Sequence, residues 1–391
     1  MPPDETGSAP FQRNDRIIPQ SPRQALRTEA AVGPPPRRRA RAARSQVVVF
    51  FNFLLTLVVL SMVVTGGAIY YGKVRFEEPG PNALPVTHTV RPGASIGQIA
   101  SSLESRGIVT NARIFEAGTR VYGHENDMKA GEYEFKAHAS MKEIMDLLVS
   151  GRSILHPLTV IEGTTVTQAL RRVAENEFLT GDMPAEVPAE GMLAADTQKF
   201  SRGTTRAEIV ASMQAQQKAM IEEIWANRAP DLPLKDINEF VTLASIVEKE
   251  TGVPGERSRV AGVFVNRLKQ GMKLQSDPTV IYGLFGGEGK PADRPIYRSD
   301  LDKPTPYNTY VNGGLPPGPI AIPGRAALEA VANPSVTDEL YFVADGSGGH
   351  VFSKTLEEHN ENVRRWREIE KKRAEEAGQS TEGVEELPAQ N

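Results

Sequence analysis

The chain has 391 residues, of which 39% are hydrophobic and 24% charged, values typical of globular proteins with room for about two domains. This composition excludes a wholly disordered, collagen-like or multi-span membrane protein, and the absence of Cys excludes disulfides, Cys-ligated metal sites and thiol catalysis. The net charge of −4 combines two unlike parts, since residues 1–46 carry nine Arg and four acids, or +5, and the rest carries −9.

Residues 1–46 also contain eight Pro residues and show no hydrophobic periodicity, which predicts a disordered tail. The Arg cluster at 37–44 can contact anionic lipid or nucleic acid. Its position directly before a hydrophobic segment explains it as a membrane-orientation signal, so no nucleic-acid partner is expected.

Residues 47–71 are twenty-five successive residues without a charge, long enough to cross a hydrocarbon core about 30 Å thick. They predict a single transmembrane helix with the Arg-rich N-terminus in the cytoplasm, because Lys and Arg collect on that side. A cleaved signal peptide is the main alternative, although its apolar region spans only about 7–15 residues. A buried core helix is the third interpretation.

A linker containing Pro and Gly is predicted at 72–85, followed by a small domain at 86–155. The elements predicted in this domain are a strand at 88–90, a helix capped by Ser95, a helix at 112–119, a strand at 131–135 and a helix opened by Ser140. The strand–helix–helix–strand order resembles a LysM domain, a small glycan-binding fold. A plain spacer domain is the alternative.

A larger domain is predicted at 156–376, followed by a disordered acidic tail at 377–391. Its predicted elements are a strand and turn at 156–163, helices near 166–177, 205–228, 237–251 and 254–268, strands at 339–344 and 351–353, and a helix from about 355 to 376. The fold class predicted for the whole chain is α+β, with one transmembrane helix, a small βααβ domain and this larger mixed domain.

Without Cys, chemistry has to come from carboxylates, hydroxyls, amides or the six His residues. The His residues are scattered and show no metal-binding spacing, so no metal site is expected. The Gly-rich run at 283–290 fails as a phosphate loop because Lys290 is followed by Pro291. No cofactor is expected either.

The helix at 237–251 carries two acids, Glu248 and Glu250, on its last turn. Helical spacing places Glu248 beside the apolar face, while Lys249 points away from it. The helix C-terminus and apolar neighbours both raise a carboxyl pKa, as a general acid needs. The alternative is a solvated helix end whose acids pair with Lys249 or Arg257.

Three later stretches are rich in Tyr, amide and hydroxyl side chains in loop-like sequence: 274–283, 305–310 and 314–320. Aromatic faces combined with hydrogen-bonding groups suit sugar rings, and they also suit peptides. Rigid, Pro-containing loops packed over a core are the structural alternative.

Six motifs follow one another along the chain: LASIVEKET at 243–251, VFVNRL at 263–268, the run at 275–283, YNTY at 307–310, the run at 315–320 and YFVAD at 341–345. Together they resemble the endolytic murein transglycosylases, the YceG-like family, over roughly residues 85–370. The resemblance implies a lytic transglycosylase that cleaves the β-1,4 bond between N-acetylmuramic acid (MurNAc) and N-acetylglucosamine (GlcNAc) within peptidoglycan strands, leaving 1,6-anhydro-MurNAc ends.

The catalytic Glu of that family maps onto Glu250, with Glu248 as a supporting or alternative acid. The side chains expected to bind the substrate are Gln275, Asp277, Tyr282, Tyr307, Asn308 and Thr309. One departure stands out, because Ala195 and Gln198 replace the Pro and Tyr of a family motif that begins at Glu190. If that loop lines the cleft, substrate contact differs here.

The resemblance further implies a single-pass protein of the bacterial inner (cytoplasmic) membrane, with its catalytic domain in the periplasm or extracytoplasmic space. Its partners would be glycan strands, the membrane and peptidoglycan synthases, and its role would be to end glycan strand elongation. Two alternatives stay open: a lysozyme-like hydrolase with Asp277 as the second carboxylate, and a non-catalytic glycan-binding scaffold.

Overall fold

The computed structural model describes residues 46–376, so the predictions for the two tails lie outside the described residues. The described residues divide into two units, with the boundary between Ala68 and Ile69. Among the described residues, one helix, α1 (Gln46–Glu77), is long and apolar enough to cross a membrane. Its side chains from Val47 to Val64 are largely apolar and exposed, as a span facing lipid requires.

Helix α1 continues past the predicted span, and its last turn belongs to the second unit. Phe76 is 2% exposed, and its ring stacks on Tyr122 with the centroids 5.7 Å apart. Gly118 leaves the space for this ring, since a Cβ there would collide with Phe76. Residues 72–77, predicted as part of a linker, are helical because no Pro interrupts the chain before Pro79.

The second unit begins with a strand–helix–helix–strand arrangement in the predicted order. Its elements are β1 (Val86–Val90), α2 (Ile96–Ser105), α3 (Ala112–Val121), β2 (Gly131–Phe135) and α4 (Met141–Ser150). Strands β1 and β2 pair antiparallel with Val86 opposite Phe135, and the helices cover one buried apolar core. The kinship with LysM domains stays a prediction.

A similar arrangement follows directly. It consists of β3 (Leu155–Thr159), α5 (Val166–Glu175), β4 (Thr197–Ser201) and α6 (Arg206–Ala226), with β3 and β4 antiparallel. In both arrangements a Gly with positive φ, Gly93 or Gly163, precedes the first helix. That helix opens in both with a reciprocal capping box, Ser95 with Gln98 and Thr165 with Gln168.

The two arrangements also agree in strand register. The segments 135–144 and 200–209 share one pattern. Each begins with Phe, continues with four residues to a Ser or Thr, and ends with a Glu-Ile pair whose Glu lies three positions after that Ser or Thr. Phe135 lies opposite Val86, and Phe200 lies opposite His156. Val86 and His156 are seventy residues apart and occupy corresponding positions in the two arrangements. The chain therefore contains one βα-βα pattern twice, and the segment 176–196 replaces α3 in the second copy.

Helices make up most of the remaining chain. They are α7 (Ile237–Glu250), α8 (Arg257–Lys269), α9 (Asp277–Phe285), the short α10 (Arg298–Leu301), α11 (Arg325–Ala332) and α12 (Leu356–Glu376), with the antiparallel hairpin β5 (Tyr341–Ala344) and β6 (His350–Ser353) before α12. Helix α7 is central, since Phe240 to Val247 are all buried against α6, α8 and α11. The described part of the chain has the α+β class that its sequence predicts.

Three helices, α9, α10 and α11, are not among the elements that the sequence predicts. Helix α9 starts at Asp277 within the stretch 274–283, where Pro278 occupies the first turn and favours a helix start. Helix α11 was not predicted, although Arg325–Ala332 is rich in Ala and Leu. All three are short and receive much of their stability from packing rather than from propensity.

Candidate active site

Glu250 is the last residue of α7 and lies where this buried helix reaches partial solvent exposure. The Ser276 hydroxyl donates a hydrogen bond to its Oε1. Burial raises the pKa of Glu250 to about 7, helped by the Asp277 charge and opposed by the Ser276 hydrogen bond and the Arg267 charge. Near neutral pH this carboxyl can both give up and take up a proton.

The loop that carries Ser276 is held in one conformation. Gln275 has a φ of 50°, uncommon for a residue with a side chain, and its N–H donates to the Thr309 carbonyl at 3.3 Å. The Ser276 N–H donates to the Thr309 hydroxyl at 3.0 Å, which lies 2.8 Å from the Thr279 hydroxyl. Thr309 thereby positions the partner of Glu250.

Asn308 and Thr309, predicted to touch substrate, are both fully buried. The Asn308 amide donates to the carbonyls of Leu301 and Lys303 at 2.8 Å, and its Oδ1 accepts from the Tyr310 N–H at 2.8 Å. These side chains are enclosed and hydrogen-bonded within the protein, and the substrate contact expected of them stays a prediction.

Asp277 follows Ser276 and remains partly exposed. Its Oδ1 accepts a hydrogen bond from the Tyr310 hydroxyl at 2.6 Å. Burial raises the pKa of Asp277, and the Tyr310 hydrogen bond opposes this effect. Asp277 raises the pKa of Glu250 through its charge.

Arg267 is a member of the site that sequence reasoning did not single out, although it lies in the VFVNRL motif. Arg267 is 2% exposed, and its guanidinium donates to the carbonyls of Leu340 and Leu274 at 2.6 and 2.8 Å. The sequence feature that could have identified it is a charged residue two positions after the apolar run of α8, where charged side chains are rarely fully buried. Its positive charge favours the ionised form of Glu250.

Glu248 faces a different neighbourhood from Glu250. Its carboxylate accepts the Gly324 N–H at 3.1 Å and lies 3.8 Å from the Arg257 guanidinium. Burial raises the pKa of Glu248, the Gly324 hydrogen bond lowers it and the Glu162 charge raises it. No hydrogen bond among the described residues joins Glu248 to Ser276, which fits a supporting role in loop placement.

Tyr282 and Tyr307 lie together, with ring centroids 4.8 Å apart at an angle of 59°. Both are partly exposed. The Tyr282 hydroxyl donates to Glu190 Oε2 at 3.1 Å. Glu190 therefore belongs to the site, although in the sequence it stands out only as the first residue of a family motif. Burial and the Glu190 carboxylate raise the pKa of Tyr282.

The departures at Ala195 and Gln198 fall outside this group. Gln198 is buried on β4 and forms a reciprocal amide pair with Gln216 of α6 at 2.9 and 3.0 Å. Ala195 packs against the apolar core of β3, β4 and α5. The Gln that replaces the family Tyr therefore has a structural partner of its own.

Between residues 46 and 376, no three His, Asp or Glu side chains come together in a way that could hold a metal ion.

The geometry defines a class of site: a carboxyl with a pKa near neutrality at the end of a buried helix, bordered by aromatic, amide and hydroxyl side chains. Such a site suits general acid–base chemistry on a polar substrate. Residues 88–365 match the YceG-like family, and the chain belongs to this family.

Two curated relatives and one solved structure are similar to this chain. The chain is 32% identical over 334 residues to an endolytic murein transglycosylase of Bacillus subtilis, covering 76% of this chain and 89% of the relative. A protein of the same name from Streptococcus pneumoniae is 29% identical over 323 residues, covering 71% of this chain and 58% of the relative. A crystal structure of a yceG-like protein from Listeria monocytogenes is 30% identical, covering 71% of this chain and 98% of that one, with a TM-score of 0.45.

Proposed function

We propose that this chain is a membrane-anchored endolytic murein transglycosylase. It cleaves the MurNAc-β-1,4-GlcNAc bond within nascent glycan strands and leaves 1,6-anhydro-MurNAc ends. Family membership and the names of its relatives support the reaction class. The environment of Glu250, partly exposed yet desolvated enough to raise its pKa to about 7, is the observation that carries the proposal.

In this mechanism Glu250 starts protonated. It donates its proton to the glycosidic oxygen, which leaves as the GlcNAc 4-hydroxyl, while positive charge develops at the MurNAc anomeric carbon. The C6 hydroxyl of the same MurNAc then forms the new bond to that carbon. Its proton passes to the Glu250 carboxylate, which restores the starting state, so one carboxyl suffices because the substrate supplies the nucleophile.

The neighbouring side chains support this reaction. Asp277 keeps the pKa of Glu250 high and offers negative charge near the developing cation. Gln275, Tyr282 and Tyr307 retain exposure and are the side chains we assign to sugar contact. Asn308 and Thr309 hold the loop that presents them.

A hydrolase would need a second carboxylate as nucleophile or water-activating base, and Asp277 is the one at hand. Its Oδ1 is engaged by the Tyr310 hydroxyl at 2.6 Å, and burial raises its pKa. The Tyr310 hydrogen bond makes this oxygen less available as a nucleophile, which favours the transglycosylase.

Helix α1 is proposed as the membrane anchor, with the Arg-rich N-terminus in the cytoplasm and the rest of the chain outside the bacterial inner membrane. This placement brings the catalytic domain to the newly made glycan strand near the membrane surface. We infer that cleavage there ends strand elongation, and that peptidoglycan synthases are the partners beside which the protein works.

Purified peptidoglycan incubated with the wild-type protein should release fragments with anhydro-MurNAc ends, detected by mass spectrometry. Glu250→Gln should lower the rate by at least about 100-fold, since general acid–base catalysis contributes that much or more. Glu248→Gln is the matched control on the same turn and should retain most activity. A Glu250→Gln variant as active as the wild type would remove Glu250 from the mechanism, and a wild type that releases no such fragments would support the non-catalytic scaffold.

A further inference from the structure

Glu190 is an acid held in one position beside Tyr282, in the segment that replaces α3 in the second βα-βα copy. Its Oε1 accepts the N–H of Val166, the first residue of α5, at 2.8 Å, and its Oε2 accepts the Tyr282 hydroxyl at 3.1 Å. The side chain remains partly exposed. A carboxylate offers about four acceptor positions, so capacity for a further donor remains.

The backbone beside Glu190 is fixed by close packing. Gly191 has a φ of 79°, and a Cβ there would lie 2.8 Å from Val241 of α7 and 3.0 Å from Pro319. The fully buried Gln217 of α6 donates to the carbonyls of Gly191 and Pro323 at 3.1 and 3.2 Å. The Glu190 turn is therefore locked onto the helix that carries Glu250.

The surroundings of Glu190 remove part of the water that would otherwise solvate its carboxylate. Burial raises the pKa of Glu190 more than its hydrogen bonds from Val166, Tyr282 and Gly191 lower it. A neutral Gln or Ser would cap α5 without this penalty. An acid kept in a rigid, partly desolvated place that capping alone does not require indicates a functional site.

Glu190 and Glu250 are connected through a single helix and a single loop. Asp277 at the start of α9 bonds to Tyr310, and Tyr282 in its last turn packs on Tyr307. The helix rises about 7.5 Å over these five residues, so its Tyr282 end is separated from its Asp277 end. Gly283 lets the loop approach α9 directly, since a Cβ there would collide with Thr305.

We propose that Glu190, Tyr282 and Tyr307 form a second sugar-binding point, distinct from the position beside Glu250 where the bond is cleaved. The Glu190 carboxylate accepts a hydrogen bond from a pyranose hydroxyl or acetamido N–H, and the two tyrosine rings cover the apolar face of that sugar. The inference rests on the proposed function, because it takes a glycan strand as the substrate.

The test uses the full-length protein in detergent with Glu250→Gln as the parent, so that the probe is not consumed. The probe is a hexasaccharide of alternating GlcNAc and MurNAc without stem peptides, and calorimetry measures its Kd. Adding Glu190→Gln should weaken binding about tenfold, the effect of losing a hydrogen bond to a charged group. Adding Tyr307→Leu should weaken it by a similar factor, since it removes one ring without touching the Glu190 hydrogen bonds.

Glu186→Gln is the matched control, since Glu186 is an exposed acid in the same segment, and it should leave the Kd unchanged. Unchanged binding by both the Glu190→Gln and Tyr307→Leu variants overturns the second binding point. If thermal melting shows that Glu190→Gln disturbs folding, Tyr307→Leu alone decides. A wild type that gives no anhydro ends, while the parent binds and the variants do not, overturns the proposed reaction and leaves the binding point standing.

Discussion

The protonation of Glu250 is set by three neighbours whose effects oppose one another. Asp277 raises its pKa by charge, whereas the Ser276 hydroxyl and the Arg267 guanidinium lower it, and burial outweighs both of the lowering effects. A general acid has to be protonated to act, so the rate should fall as the pH rises through about 7. This fall is the alkaline limb of the pH profile of the rate. When a neighbour is mutated, the direction in which the limb moves shows whether that neighbour raised or lowered the pKa of Glu250.

Asp277→Asn should move the alkaline limb of the kcat/KM profile to lower pH, because it removes a negative charge that favours the protonated form of Glu250. Ser276→Ala should move the limb to higher pH, because it removes a hydrogen bond that favours the ionised form. Ser276 makes no side-chain cap to α9, so its loss leaves the helix start intact. Shifts in the same direction for both variants would contradict this account of the site.

At the scale of elements, the residue pattern predicts helices better than it predicts what they touch. The helix at 237–251 was expected from its apolar periodicity, and α7 ends one residue earlier at Glu250. Helical spacing also predicts that Lys249 points toward solvent, and its side chain is exposed. Helical spacing could not show that Glu250 meets Ser276, because that contact joins residues twenty-six positions apart.

Long-range contacts also explain why the sequence did not predict the burial of Asn308 and Thr309 or the contacts of Glu190. Asn308 and Thr309 looked like sugar ligands, since polar side chains in Pro-rich loops are usually exposed. Their burial follows from a loop folding back on α9, which local sequence does not encode. Glu190 was overlooked as a site residue because its partners, Val166 and Tyr282, lie on separate elements.

Phe76 should prove to be part of the folded second unit rather than of a linker. Phe76→Ala should lower the free energy of unfolding by about 3–5 kcal/mol, the usual cost of emptying a buried aromatic position, and should open residues near 72–80 to protease. Val74→Ala is the control, because Val74 lies on the same helix with 44% of its surface exposed. Thermal melting and limited proteolysis would measure both, and equal behaviour of the two variants would contradict the docking of this turn.

At the scale of the whole molecule, the absence of Cys allows the orientation to be tested with single introduced thiols. Ser8→Cys should resist a membrane-impermeant maleimide in intact cells, since the N-terminus is proposed to be cytoplasmic. Lys218→Cys should react, because that side chain is 68% exposed in the part proposed to lie outside. Labelling of Ser8→Cys with protection of Lys218→Cys would reverse the proposed topology.

The central claim is that the substrate, rather than water, supplies the nucleophile. Digestion of peptidoglycan in H₂¹⁸O by the wild-type protein tests it directly, with mass spectrometry of the released ends. The mechanism predicts anhydro-MurNAc ends that carry no ¹⁸O, and no such ends with Glu250→Gln. Reducing ends labelled with ¹⁸O would contradict it and identify a hydrolase.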